Sequence, residues 1–197
     1  MSSKVLSSLA MADVRCVLAL LGDAGARAEL GDAVPPVLPA LWHSLEAQRF
    51  WKRVLHHVGK GPVLRAMAAL ARRALPVYQS GTPGASNQGG RFIHGEEGMR
   101  LLSETLVAVE SWGRCPCRTH REQVLQCKRD WSALEFGHHA AARSVVELVR
   151  WMWNVALAPR RFERDAMTGL FSATVALPGA DVDALVRVEL CEALRAN

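Results

Sequence analysis

Apolar residues recur at helical spacing along most of the chain, and the clearest example covers residues 47–58. There the apolar positions fall on one side of a helix: Phe50, Trp51, Val54, Leu55 and Val58. Basic residues occupy the opposite side. The pattern predicts an amphipathic helix with a buried apolar face and a cationic outer face.

A second helix is expected to follow at once, because Gly59, Gly61 and Pro62 are residue types that end one helix and begin another. Its apolar face is predicted to consist of Val63, Leu64, Met67, Leu70, Ala71 and Ala74. The two helices should form a tight hairpin. Residues 79–95, rich in glycine and small polar side chains, are predicted to form a flexible loop.

Apolar residues recur at helical spacing in the rest of the chain as well. Further helices are predicted over residues 3–21, 34–45, 96–112, 121–136, 139–157, 160–175 and 180–196. Strand-like alternation does not persist in any convincing run. The predicted fold class is therefore all-α, as one irregular multi-helix domain over residues 1–197.

Two segments resemble the armadillo or HEAT unit of α-solenoids, in which a helix rich in small residues is followed by a short Arg-containing turn and another helix. They are residues 17–27 leading into 34–45, and residues 151–161 leading into 166–175. In the second, Asn154 stands where the armadillo family uses a side-chain amide to tie a helix end to neighbouring backbone. The resemblance covers half the chain and implies helical repeats. The interval between the two segments is not a clean multiple of about 40 residues, the length of one repeat. An irregular helical bundle therefore remains the alternative.

Charge is distributed unevenly. The net charge is +5, and residues 47–95 contain eight Lys or Arg and no Asp or Glu. Because solvated faces normally mix signs, this segment predicts a binding surface for an acidic partner. The predicted partner-binding residues are Arg49, Lys52, Arg53, His56, Lys60, Arg65, Arg72 and Arg73. A non-enzymatic adaptor or assembly subunit that docks an acidic protein is the preferred function.

RNA is the alternative partner for the same face. Residues 48–102 combine a basic helix ending in Val58-Gly59, a second helix, paired glycines, Arg91 and a Gly-x-x-Leu-Leu run. In this they resemble the RNA-binding domain of the phosphorylated adaptor for RNA export, although that family's dense arginine run is missing. The resemblance implies an RNA-binding helical module.

The cysteines are odd in number and mostly isolated, which favours free thiols in a reducing compartment. Four residues are of types that suit tetrahedral zinc: Cys115, Cys117, His120 and Cys127. His138 and His139 could complete such a set. The spacing disfavours zinc, because a structural site normally opens with two to four residues between its first cysteines, and here only Pro116 intervenes. No metal centre and no cofactor are therefore expected.

Catalysis and membrane insertion are not expected either. His94, Glu96 and Glu97 could be imagined as acid and base, but glutamates at a helix start are stabilised by unpaired N–H groups and need no catalytic role. No apolar stretch approaches the roughly 18 residues that a bilayer requires. We expect an intracellular protein, in the cytoplasm or nucleus rather than the mitochondrion, that is not an enzyme.

Overall fold

The computed structural model describes residues 14–31, 40, 44–80, 95–132 and 140–196. Within these ranges the regular structure is entirely helical, which confirms the predicted all-α class. The helices are α1 Val14–Leu20, α2 Ala24–Leu30, α3 Leu45–Val58, α4 Lys60–Ser80, α5 Gly95–Arg114, α6 Arg118–Ser132, α7 Ala140–Leu157, α8 Glu163–Ala176 and α9 Val182–Arg195.

Short polar side chains mark the starts of three of these helices. Asp23 accepts a hydrogen bond from the N–H of Ala26 at 2.8 Å before α2, and Ser44 accepts one from Ala47 at 3.1 Å before α3. Asp181 does the same before α9. Each side chain satisfies a backbone donor that has no partner inside its helix, a contribution of about 1 kcal/mol.

Helix α3 has the predicted amphipathic form and ends at Gly59. Its inner face is buried at Trp51, Val54, Leu55 and Val58. Gly59 has φ of +83°, a conformation that favours glycine, and its N–H donates to Leu55 O at 3.0 Å. One residue therefore separates α3 from α4.

Helix α4 is the centre of the packing. It contacts α5, α7, α8, α9 and, to a smaller extent, α3. The six residues predicted for its apolar face are all buried. Tyr78, near its end, is buried as well, and burial raises the pKa of Tyr78 to about 12. Burying each large side chain contributes roughly 1.5–3 kcal/mol, so the inner face of α4 makes a substantial contribution to the stability of the core.

Helices α4 and α5 approach each other backbone to backbone at two glycines. A Cβ added to Gly61 would lie 2.6 Å from Gly113 O, so an alanine could not be accommodated without a shift. Arg65 lies beside this crossing and donates to Gly113 O at 3.1 Å. The crossing places the start of α4 against the end of α5.

The predicted loop and two of the predicted helices agree only in part with the described residues. Gln79 and Ser80 belong to the end of α4 and Gly95 begins α5, so the predicted loop is shorter than residues 79–95. Its other positions, and most of the predicted helices 3–21 and 34–45, lie outside the described residues. Trp51 is buried, as its position on the apolar face of the first predicted helix indicated.

Candidate functional site

The outer face of α3 carries exposed cations. Arg49, Lys52 and Arg53 are all exposed, as the amphipathic pattern predicted. Within the part of the chain that the structure describes, no carboxylate lies within ion-pair distance of these three side chains. Their charges therefore face solvent.

Two arginines from the α7–α8 corner extend this face. A cleft of about 460 Å³ is lined by Lys52, Arg53, His56 and His57 of α3 together with Arg161, Glu163 and Arg164. We call it the basic cleft. His56 Nδ1 lies 2.6 Å from Glu163 Oε1, which ties α3 to the first turn of α8. Arg161 has φ of +56°, which turns the chain into α8.

Glu163 is the single carboxylate among the described residues that line the basic cleft. Its side chain is only 14% exposed, and it is engaged by His56. Arg161 and Arg164 are exposed and, like Lys52 and Arg53, have no carboxylate within ion-pair distance among the described residues. Among the described residues, four cations without a carboxylate partner thus line the cleft together with one carboxylate that His56 engages.

An apolar surface adjoins the basic cleft. A neighbouring hollow of about 270 Å³ is lined by Lys52, Arg164, Met167 and Phe171, among others. Phe171 is 52% exposed, although an aromatic ring is usually mostly buried. The two hollows share Lys52 and Arg164, so cationic and apolar groups form one continuous surface.

Two of the predicted partner-binding residues act inside the fold instead. Lys60 Nζ donates to Ala158 O, just beyond α7, and lies 5.7 Å from the ring centroid of Trp112. Arg65 donates to Gly113 O at 3.1 Å and to Ala193 O at 2.5 Å, near the ends of α5 and α9. Cations at these positions satisfy carbonyls that have no helical partner. Burial lowers the pKa of both side chains.

Two further predicted residues are neutralised by carboxylates from other helices. Arg72 binds Glu110 of α5 through two hydrogen bonds of 2.8 Å, a contact that raises the pKa of Arg72. Arg73 binds Glu189 of α9, with 2.8 Å between Nη2 and Oε1. The predicted continuous basic face over residues 47–75 was therefore wrong for α4: its cations hold helices together.

The fold brings three of the four candidate zinc ligands close together. The ligand atoms of Cys115, Cys117 and His120 all lie within 4.8 Å of one another at the start of α6. Cys127 does not belong to this group. Its thiol is half-buried and hydrogen-bonds with Thr105 of α5, and burial raises its pKa. His138 and His139 lie outside the described residues.

The two neighbouring thiols differ in acidity. The backbone N–H of His120 donates to the sulfur of Cys117 and lowers the pKa of that thiol. Cys115 donates a hydrogen bond to Cys117, which raises the pKa of Cys115. This asymmetry arises because the N–H groups of a helix start favour a negative charge on the first sulfur they reach.

Two of the three residues considered as acid and base lie in the described part of the chain. Glu96 and Glu97 occupy the first turn of α5, where a negative charge is stabilised by the helix, and His94 lies outside the described residues. Among the described helices, none is long and apolar enough to cross a membrane.

Sequence reasoning missed Arg161 and Arg164. Arg160, Arg161 and Arg164 form a short basic cluster in the sequence, which was a usable signal, but Glu163 and Asp165 mask it in a simple charge count. Comparison of this chain with protein-family models, curated proteins and solved structures found no match.

Proposed function

We propose that this protein is a non-enzymatic adaptor or assembly subunit that docks an acidic segment of a partner protein in the basic cleft. The observation that carries the proposal is the group of four exposed cations without carboxylate partners among the described residues, Lys52, Arg53, Arg161 and Arg164. Opposite charges across an interface steer association and fix its register.

The adjoining hollow indicates which kind of partner segment the surface can bind. Phe171 lies next to Lys52 and Arg164, so the surface offers an apolar contact at the edge of the cationic one. Protein interfaces commonly combine an apolar centre with a polar rim. The ligand that fits best is an acidic segment that also carries an apolar side chain.

RNA fits the same surface less well. Sequence-independent binding of nucleic acid depends on the number of phosphates that Lys and Arg neutralise. Within the described part of the chain the basic cleft offers four cations without carboxylate partners, and Arg72 and Arg73 are already paired with Glu110 and Glu189. This small number of available cations favours a short acidic peptide as the ligand.

We further propose that the protein is intracellular and lies in a reducing compartment. This agrees with its five free cysteines, because thiols stay reduced there. Between the two arrangements left open by the sequence, the packing of α4 supports an irregular bundle. In an α-solenoid each repeat contacts only its neighbours, whereas α4 contacts both α5 and α9.

Binding of a fluorescent polyglutamate peptide tests the proposal. The variant Lys52→Glu/Arg164→Glu should weaken binding at least about tenfold, since each exposed ion pair contributes up to about 1 kcal/mol and reversal adds repulsion. The matched control is Lys128→Glu/Arg143→Glu, which has the same net charge but changes exposed residues of α6 and α7. It should bind like the unmodified chain.

Equal weakening in the two double variants would contradict a localised site. A single-stranded RNA oligonucleotide is the second probe. If RNA binds with an affinity that falls steeply with salt while polyglutamate does not bind, the acidic-protein proposal is overturned in favour of the RNA alternative.

A further inference from the structure

Two thiols and an imidazole converge at the turn between α5 and α6. Cys117 Sγ lies 3.4 Å from His120 Nδ1, and the ligand atoms of Cys115, Cys117 and His120 are all within 4.8 Å of one another. The turn that holds them is exposed at Cys115 and half-buried at the other two. None of the three lines the basic cleft, which is formed by residues of α3 and of the α7–α8 corner, whereas α6 packs on α5 and α7.

Local backbone geometry explains how two cysteines with one residue between them come to share a site. The N–H of Cys117 donates to Cys115 O at 2.7 Å, which closes a three-residue turn around Pro116. Arg121 N then donates to Cys117 O at 3.0 Å as α6 begins. The first helical turn places His120 three residues after Cys117 and on the same face.

The spacing of these atoms matches a tetrahedral ion. Zinc–sulfur and zinc–nitrogen bonds of about 2.3 and 2.0 Å at tetrahedral angles place sulfur and nitrogen about 3.5 Å apart. The observed separation between Cys117 Sγ and His120 Nδ1 is 3.4 Å. Two tetrahedral sulfurs lie about 3.8 Å apart, within the 4.8 Å limit that contains all three ligand atoms.

We propose that Cys115, Cys117 and His120 bind one Zn²⁺ ion, with a water molecule as the fourth ligand. Thiolate and imidazole are the ligands that zinc prefers, and three protein ligands leave one open position. His120 Nδ1 exchanges its 2.8 Å hydrogen bond to Cys115 O for the metal. The two thiol protons pass to solvent, and the neutral imidazole carries its proton on Nε2, so no oxidant or reductant is needed.

The test uses the full chain, reduced and without a histidine tag, titrated with Zn²⁺ in competition with a chromophoric chelator. One equivalent should bind. Substituting a ligand should weaken binding at least about tenfold, because even residues that only support a ligand contribute about 10- to 100-fold. The ligand variants are Cys115→Ser, Cys117→Ser and His120→Ala. Titration with Co²⁺ should give a sulfur-to-cobalt charge-transfer band that is reduced in Cys117→Ser.

Cys127→Ser is the matched control, because Cys127 belonged to the set suggested by sequence but faces Thr105. It should bind Zn²⁺ like the unmodified chain. Bound Zn²⁺ should also protect Cys115 and Cys117 from alkylation while leaving Cys16 reactive. The proposal is overturned if the unmodified chain binds no zinc or if Cys127→Ser loses as much affinity as Cys117→Ser. Lys52→Glu/Arg164→Glu should bind zinc normally, which separates this proposal from the adaptor function.

Discussion

His56 of α3 and Glu163 of α8 meet across the basic cleft, with 2.6 Å between Nδ1 and Oε1. The contact joins residues 107 positions apart in the chain. It also engages the one carboxylate that lines the cleft within the described part of the chain. The carboxylate lies among the arginines and the lysine that would bind an acidic ligand, so its negative charge opposes docking.

Removing that charge should strengthen docking. We expect Glu163→Gln to bind polyglutamate roughly two- to fivefold more tightly, because the repulsion removed is comparable with the energy of one charge pair at the solvated surface, about 0.5–1 kcal/mol. The glutamine side chain keeps an oxygen that can accept a hydrogen bond from His56. Glu122→Gln, an exposed site on α6, gives the same change in net charge and should leave the dissociation constant unchanged. Weaker binding by Glu163→Gln would count against the proposed cleft.

The pair formed by Arg73 and Glu189 is expected to stabilise the fold. The Glu189 side chain is 9% exposed, so Arg73→Gln leaves a buried carboxylate without its charged partner. We expect the free energy of unfolding in urea to fall by about 1–3 kcal/mol. Arg100→Gln, which breaks an exposed pair with Glu104, should cost at most about 0.5 kcal/mol. Equal losses would show that Arg73 does not have the structural role assigned here.

The crossing of α4 and α5 requires glycine. In Gly61→Ala the new methyl group would meet Gly113 O, which belongs to backbone and cannot rotate away. We expect a loss of about 1–3 kcal/mol in urea unfolding. Gly25→Ala in α2, where the added Cβ makes only ordinary contact at 3.4 Å, should instead stabilise by up to about 1 kcal/mol. A Gly61→Ala protein as stable as the original would refute the close approach.

Alkaline pH should destabilise the protein through Tyr78. Burial raises its pKa to about 12, above the value of about 10 in an unfolded chain. The neutral phenol is favoured by folding, so this contribution is complete below pH 10 and is lost as the pH rises through 12. The chain has one tyrosine, so tyrosinate absorbance reports on this residue alone. Native protein should titrate about two pH units above urea-unfolded protein; coincident titrations would contradict burial of the phenol.

Local sequence pattern was sufficient to predict most of the helices. The apolar positions of α3 and α4 have the helical period, and the residues on those faces are buried. The end of α4 was missed because the glycine-rich polar stretch was predicted to form a loop from residue 79, yet α4 continues to Ser80. Pro76 removes one backbone donor in the last turns, a cost that tertiary packing of Tyr78 can offset.

The candidate site could be predicted only on α3. Whether a cation on α4 is free depends on residues distant in sequence, since Arg72 meets Glu110 and Arg73 meets Glu189. The arrival of Arg161 and Arg164 beside Lys52 likewise depends on how α8 packs against α3. Linear spacing also did not show that Cys115 and Cys117 meet, because a turn closed by one backbone hydrogen bond brings both thiols into one cluster.

Zero-length carbodiimide cross-linking of polyglutamate to the full chain, followed by peptide mass spectrometry, tests the location of the docking site most directly. The chemistry joins a carboxylate to a lysine amine with which it is in contact, and Lys52 is the lysine that lines the basic cleft among the described residues. We expect Lys52 to be the main cross-linked site and Arg164→Glu to reduce the yield of that cross-link. Cross-linking of Lys128 to the same extent as Lys52, unaffected by Arg164→Glu, would contradict the proposed docking site.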